Sequence, residues 1–387
     1  MSYFHWIAGS ILALAWIWRL SDAALGMPKL ADISRPEWDR TAPGNPRVSI
    51  IVPACNEAAD IEATLVRLLD LDYENYEVIA VDDRSTDRTG EIIEKVASDT
   101  SPGRLTAVRI SELPPGWMGK PHAMWSAANR ATGDWLLFTD ADVLFKADAL
   151  RRAVAYAEAE SADHLILFPR MIMKRPGERM MIAFFQTLFV FGHRPWKVAD
   201  PRTKDHMGVG AFNLVRRRVY EAVGTYKALR FEVLDDMKLG KVVKTAGYAQ
   251  RNVFGANLIS IRWAKGAMGV VDNLTKNFFA LMSFQWPRAL VSCFALAFLN
   301  LMPFAGVLLA HGWARLGYAV ALFSMFSIYA GMSTKSDIPP YYFLLHPVST
   351  ALFVYTMLRS TFLTLGQGGI TWRGTFYPLK ELRSGMV

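Results

Sequence analysis

The sequence predicts an α/β domain with a mostly parallel sheet, tied to a membrane by apolar helices at both ends of the chain. Three observations predict it. Residues 47–261 alternate strand-like and helix-like stretches without a long apolar run. Long uncharged stretches are gathered outside that region. A strand-like run at 135–139, WLLFT, leads into the acidic triplet Asp140-Ala141-Asp142. That places two carboxylates at the C-terminal edge of a strand, where open α/β sheets bind ligands.

Composition agrees with such a division. The 387 residues are 52% hydrophobic, with mean hydropathy +0.16, yet 20% are charged. The net charge of +8 and pI near 9.4 point to anionic ligands or surfaces. No zinc-finger spacing or recognition helix supports nucleic acid, whereas anionic lipid headgroups fit the many aromatic residues. Cys55 and Cys293 lie far apart and imply neither a disulfide framework nor a metal cluster.

In chain order, residues 1–20 read as a retained membrane anchor, slightly short for a full span of roughly 20 apolar residues. Basic residues follow it and place what comes next in the cytosol. Residues 21–46 read as a linker. Within the expected domain, 47–277, strands are predicted at 47–55, 77–83, 105–110, 135–139 and 164–170. Helices are predicted at 58–71, 86–97, 119–131 and 147–160. The uncharged run at 180–193, bracketed by Arg179 and Arg194, suits an interfacial helix over about 178–195. An ordinary core helix is the alternative.

Residues 278–366 read as a C-terminal transmembrane region, with uncharged stretches at 289–314, 316–334 and 338–358. With the anchor they make four spans, which puts both termini on one side. Residues 367–387 read as a basic tail that prefers the cytosol, and Pro347 marks the last stretch as the one most open to a non-spanning path.

Four polar motifs fall at predicted element ends: VPACNE (52–57), VDDRSTDRT (81–89), Asp140-Ala141-Asp142 and LDDMKLG (234–240). Asp140 and Asp142 can hold a hard divalent cation that in turn holds phosphate oxygens, or they can cap the following helix. Lys120, at a helix start, can meet diphosphate together with helix N-terminal amides, or it can be a surface lysine. Asp235 and Asp236 can serve proton transfer or stabilise a helix dipole.

The order of these motifs resembles the inverting family 2 glycosyltransferases with the GT-A fold, over residues 48–263. Within that family the chain is similar to membrane-bound enzymes that glycosylate lipids: the hopene-associated, carotenoid-acid and, more distantly, ceramide glycosyltransferases. PPGWMGKPHA (114–123), GVGAFNLVRR (208–217) and LTKNFFA (274–280) carry that likeness.

The resemblance implies a nucleotide-sugar donor, UDP-linked, and a membrane lipid acceptor. It implies that Pro53, Asn56 and Glu57 shape the nucleotide pocket and that Asp83 accepts a hydrogen bond from uracil, whose imide N–H cytosine lacks. Asp140 would contact the ribose or the metal, and Asp142 would ligate Mg2+ or Mn2+. Asp236 would be the general base, with Asp235 beside it, and Lys120 and Arg262 would bind diphosphate. Trp117, Gly208, Gly210 and Trp263 are expected on the acceptor side. The expected setting is a bacterial inner membrane with the catalytic domain facing the cytosol.

A processive polysaccharide synthase is the competing enzyme, but its Gln-x-x-Arg-Trp motif has Ile259 in the glutamine position before Arg262 and Trp263. A non-catalytic membrane scaffold is the competing class, and the intact acidic motifs weigh against it.

Overall fold

The computed structural model describes residues 2–385; Met1 of the expected anchor and residues 386–387 of the expected tail lie outside them. The chain forms two compact units, each assembled from separate segments. One is α/β, made of Leu30–Ile172, Lys197–Arg262 and the chain from Thr371 onward. The other is helical, made of the chain through Lys29, Met173–Trp196 and Trp263–Ile370.

The chain opens with α1 (Ser2–Gly26) of the helical unit. The α/β unit then runs β1 (Val48–Ala54), α2 (Ile61–Leu69), β2 (Tyr76–Asp83), α3 (Thr89–Ser98), β3 (Leu105–Ile110), α4 (Gly119–Ala128) and β4 (Trp135–Phe138). It continues with β5 (Val143–Phe145), α5 (Ala149–Ala159), β6 (His164–Leu167) and β7 (Arg170–Met171). After α6 (Pro176–Gly192) of the helical unit come β8 (Asn213–Arg216), α7 (Arg217–Ala222), α8 (Thr225–Ala228), α9 (Asp235–Thr245), β9 (Gln250–Val253) and β10 (Ile259–Ile261). The helical unit resumes with α10 (Gly266–Leu281), α11 (Trp286–Leu309), α12 (Arg315–Ser333) and α13 (His346–Gln367). The described chain ends in β11 (Gly369–Trp372), β12 (Thr375–Pro378) and α14 (Leu379–Ser384).

The main sheet has the order β3-β2-β1-β4-β8-β6-β9. Its ladders are parallel except at β8, which runs antiparallel to both β4 and β6. Every residue of β2 is buried, as a strand covered on both faces requires. Alternation along the strands divides the core. Ile50, Val52, Val78 and Leu137 face one layer with Leu65 of α2 and Val154 of α5. Ile51, Ile79, Leu136 and Phe138 face the other with Ala123 of α4 and Leu239 of α9. A small second sheet has the order β5-β10-β7.

In the helical unit, Leu12 and Trp16 of α1 share a buried cluster with Tyr318 and Met325 of α12. His346 is a buried polar node, bonded to Asn300 Oδ1 at 3.0 Å and Tyr329 OH at 3.0 Å, so its ring is satisfied without water. Among the described residues, four helical segments are long and apolar enough to cross a membrane. Trp6, Leu14 and Trp18 on α1, Phe294 on α11, Phe323 on α12 and Phe362 on α13 stay exposed, an apolar exterior suited to lipid.

Several expected boundaries are corrected. The anchor does not stop near residue 20: α1 runs on to Gly26, about 37 Å at 1.5 Å per residue. Arg19 and Asp22, one turn apart at 3.5 Å, pair and let the helix continue through both charges. Much of the expected linker is packed structure: Ile33 is fully buried, Asp32 bridges to Phe254, and Tyr73 OH donates to Pro46 O at 2.5 Å. The helix expected in the interface is enclosed instead, with no exposed residue from 177 to 191. Phe184 packs on Phe353 with ring centroids 4.8 Å apart. The tail is not a tail. It folds as a hairpin and α14, with Leu382 fully buried.

Candidate active site

Parallel β1, β2 and β4 end side by side, so their following loops meet at one sheet edge. Asn56 ties the first two loops together. It sits at φ +56°, a conformation Asn tolerates. Its Oδ1 accepts from the amides of Thr86 (2.8 Å) and Asp87 (3.3 Å), while its own N–H donates to Ser85 Oγ at 3.0 Å. Pro53 lies on β1 opposite Val81. Asp83, buried at the end of β2, takes a two-pronged bond from Arg84, Nε at 2.8 Å and Nη2 at 3.0 Å. A carboxylate has about four lone-pair sites, so Asp83 keeps acceptor capacity.

Lys120, on the first turn of α4, is the centre of charge. Its Nζ lies 2.6 Å from Asp140 Oδ1 and 3.9 Å from Asp235 Oδ1. Burial by itself would lower the lysine's pKa, but Asp140, Asp235 and Asp236 together raise it, which keeps the ammonium charged. Four residues expected from three separate motifs therefore meet here.

Asp142 is short of positive charge. Its pKa is pushed up to about 7 by burial, then by Asp140 and Glu57. Glu57 is likewise raised by burial, against the guanidinium of Arg373. Among the described residues no group of three or more His, Cys, Asp or Glu could hold a metal ion. The donor set does fit a cation of the Mg2+ type, which binds one or two carboxylates and takes its other oxygens from phosphate and water. In the β5–β10 ladder Ile261 pairs with Val143, so Arg262 follows the last paired residue of β10 and Asp142 precedes the first of β5.

Asp236 lies in the first turn of α9, where its Oδ1 accepts from the Met237 amide at 2.7 Å. Burial raises its pKa despite Lys120 nearby and an amide bond from Gly210. Gly208 and Gly210, expected on the acceptor side, lie close against Asp236 and Asp140. A Cβ on Gly208 would overlap the Asp236 carbonyl, and one on Gly210 would overlap the Asp140 carboxylate. Their loop is fixed by buried Gln250, which accepts from Met207 N–H at 2.9 Å and contacts His164 Nδ1 at 2.7 Å. Burial brings the pKa of His164 down to about 4, so it is a neutral structural ring.

Trp117 precedes α4 and packs on two of its residues, His122 (5.3 Å) and Trp125 (5.1 Å). Trp263 belongs to the helical unit, tilted on Phe185 at 5.0 Å.

Sequence reasoning missed Arg84, Arg373, Thr375 and Tyr377. Arg84 Nη1 donates to Thr375 Oγ1 at 2.9 Å, and the Gly119 amide donates to Tyr377 OH at 3.1 Å. Arg373 pairs with Glu57. The available signal was ITWRGTFY, two alternating β-prone runs around Arg-Gly, which reads as a hairpin.

The comparisons with known proteins fit this arrangement. The family model for glycosyl transferase family 2 matches residues 49–224. The 4,4'-diaponeurosporenoate glycosyltransferase of Staphylococcus haemolyticus is 23% identical over 233 residues, 59% of this chain and 60% of that protein. The PGL/p-HBAD biosynthesis glycosyltransferase of Mycobacterium bovis is 31% identical over 193 residues, 49% of this chain and 67% of that protein. This chain thus spans about 60% of the first relative's length. The solved mannosyltransferase PcManGT from Pyrobaculum calidifontis, in complex with GDP-Man and Mn2+, matches with a TM-score of 0.55 at 21% identity. That match covers 94% of this chain and 99% of that one. It supports the GT-A fold, with its parallel sheet interrupted by one antiparallel strand. On the family model and the mycobacterial relative together, the chain belongs to glycosyl transferase family 2.

Proposed function

We propose that this protein is a membrane-bound inverting glycosyltransferase that moves one sugar from a nucleotide-sugar, UDP-linked, to a lipid acceptor. The observation that carries the reading is the meeting of Lys120, Asp140, Asp235 and Asp236 beside Asp142 at the ends of β4 and α9. Such a site offers the Lys120 ammonium to a leaving diphosphate and, beside it, a carboxylate for a proton. The four apolar helical segments support an acceptor dissolved in the same bilayer, as does the relative named for diaponeurosporenoate.

In this reading Lys120 and Arg262 bind the diphosphate, and Pro53, Asn56, Glu57 and Asp83 shape the nucleotide pocket. Asp236 takes the proton from the acceptor hydroxyl or acid as its oxygen attacks the anomeric carbon in line with the departing diphosphate, which inverts the centre. Asp235, through Lys120, holds the base and the cation in register. Asp142 and Asp140 would hold Mg2+ or Mn2+, which supplies charge stabilisation of the leaving group. Ile259 is buried in β10, so an apolar residue stands where processive synthases carry glutamine, and this supports a single transfer. The α/β unit faces the cytosol of a bacterial inner membrane, and anionic headgroups accompany the basic surface.

The test is turnover by the purified full chain, with bacterial lipid extract, labelled UDP- and GDP-sugars, and Mg2+ or Mn2+. One lipid product carrying one sugar is expected. Absence of a labelled lipid with every donor, or a ladder of added sugars, would sink the reading.

A further inference from the structure

The end of the described chain builds part of the site. From Thr371 it belongs to the α/β unit, and three contacts hold it there. Leu382 is fully buried. The Tyr377 hydroxyl accepts from the Gly119 amide at the head of α4, next to Lys120. Thr375 accepts from Arg84, whose remaining fork grips Asp83.

The hairpin turn is Arg373-Gly374, with φ +50° and +78°. Positive φ at both central residues is the preferred geometry of a two-residue hairpin, and Asn, Asp or Gly is its usual first residue. Arginine there is strained, because in this left-handed conformation its Cβ crowds the following carbonyl oxygen. Its ion pair with Glu57 does little to offset the strain, because Arg373 is 44% exposed and solvent screens a pair at such exposure. Stability therefore does not account for the residue. Asp140 helps to raise Glu57, and Glu57 helps to raise Asp142, so by pairing with Glu57 the strained turn sets a guanidinium at the edge of this acidic group. Strain of this kind gathers at functional sites.

We propose that Arg373 is a donor-binding residue, and that its guanidinium exchanges Glu57 for the diphosphate of the nucleotide-sugar, making the C-terminal hairpin a wall of the donor pocket. A planar guanidinium fork matches two phosphate oxygens better than an ammonium does. The exchange breaks no covalent bond and needs no other reactant. This inference rests on the nucleotide-sugar reading given above.

The experiment measures binding of UDP, GDP and uridine, each with Mn2+, to the full-length detergent-solubilised wild type, Arg373→Asn and Arg373→Lys. Asparagine tolerates the left-handed turn, so Arg373→Asn keeps its melting temperature or gains slightly. Its affinity for whichever nucleoside diphosphate binds the wild type falls tenfold or more, while uridine affinity is unchanged, and Arg373→Lys recovers part of the loss. Wild-type diphosphate affinity in Arg373→Asn, or an equal loss for uridine, overturns the role of Arg373 and leaves the donor reading standing. Failure of the wild type to bind UDP or GDP overturns both.

Discussion

Lys120 Nζ and Asp140 Oδ1 stand 2.6 Å apart, joining the start of α4 to the loop after β4. The ammonium also answers Asp235 and Asp236, so removing it leaves three carboxylates without their common counter-charge. Lys120→Met is expected to lower stability by about 3 kcal/mol, the range for breaking a largely buried pair from one side, and to cut kcat at least a hundredfold. Chemical unfolding and steady-state kinetics check both. In the double mutant Lys120→Met with Asp140→Asn, part of the stability returns while activity does not.

Asp236 gives a pH prediction. Burial raises its pKa above the ordinary 3.8, with Lys120, Asp140, Asp235 and the buried Tyr226 as the charged or titratable groups around it. A base works ionised, so kcat should fall as pH drops through the raised value, at a midpoint above 3.8. Asp236→Asn should lose about 10²–10⁴ in kcat, lose that acidic limb, and bind UDP as the wild type does. Wild-type kcat in this variant would remove Asp236 from the chemistry.

For the metal, chelation should abolish turnover, and Mn2+ or Mg2+ should restore it. Asp142→Asn should weaken Mn2+-dependent UDP binding at least tenfold while sparing the fold, because it removes a crowded carboxylate that burial and its neighbours already disfavour. Thermal melting is expected to hold or rise by a few degrees. Metal-independent turnover would refute the cation's role.

Gly208 lies against the backbone of Asp236 with no room for a methyl group. Gly208→Ala should push the start of α9 outward, costing about 1–3 kcal/mol as overpacking does, with a larger fall in kcat than in donor affinity. Calorimetry paired with kinetics measures the two effects separately.

Chain topology gives the fifth test. Arg262 and Thr371 belong to one compact unit, and α11, α12 and α13 lie between them. If that unit lies on one side of a bilayer, the number of crossings between those residues is even, and the expected number is two. Single cysteines at exposed Lys95 and Lys380, with Cys55 and Cys293 replaced by serine, should label from the same side. Labelling from opposite sides would restore three crossings.

Much of this protein could be read from local pattern. Continuous Val/Ile runs marked β1 and β2 because strands covered on both faces need no polar alternation, and strand ends marked Asp83, Asp140 and Asp142. Lys120 and the Asp235-Asp236 pair were recognised from motif order. Three-residue β5 and β10 were hidden because so short a run has no period to detect.

Fold class, the division into α/β and apolar parts, and the identity of the charged residues are all legible locally, since they follow from composition and short-range periodicity. Which charges neutralise each other, which glycines make room for them, and that Arg373 returns from the far end of the chain to Glu57 emerge only on folding. Those outcomes depend on contacts between residues as far as 316 positions apart. No local period records such a contact, because its free energy exists only after the sheet edge has formed.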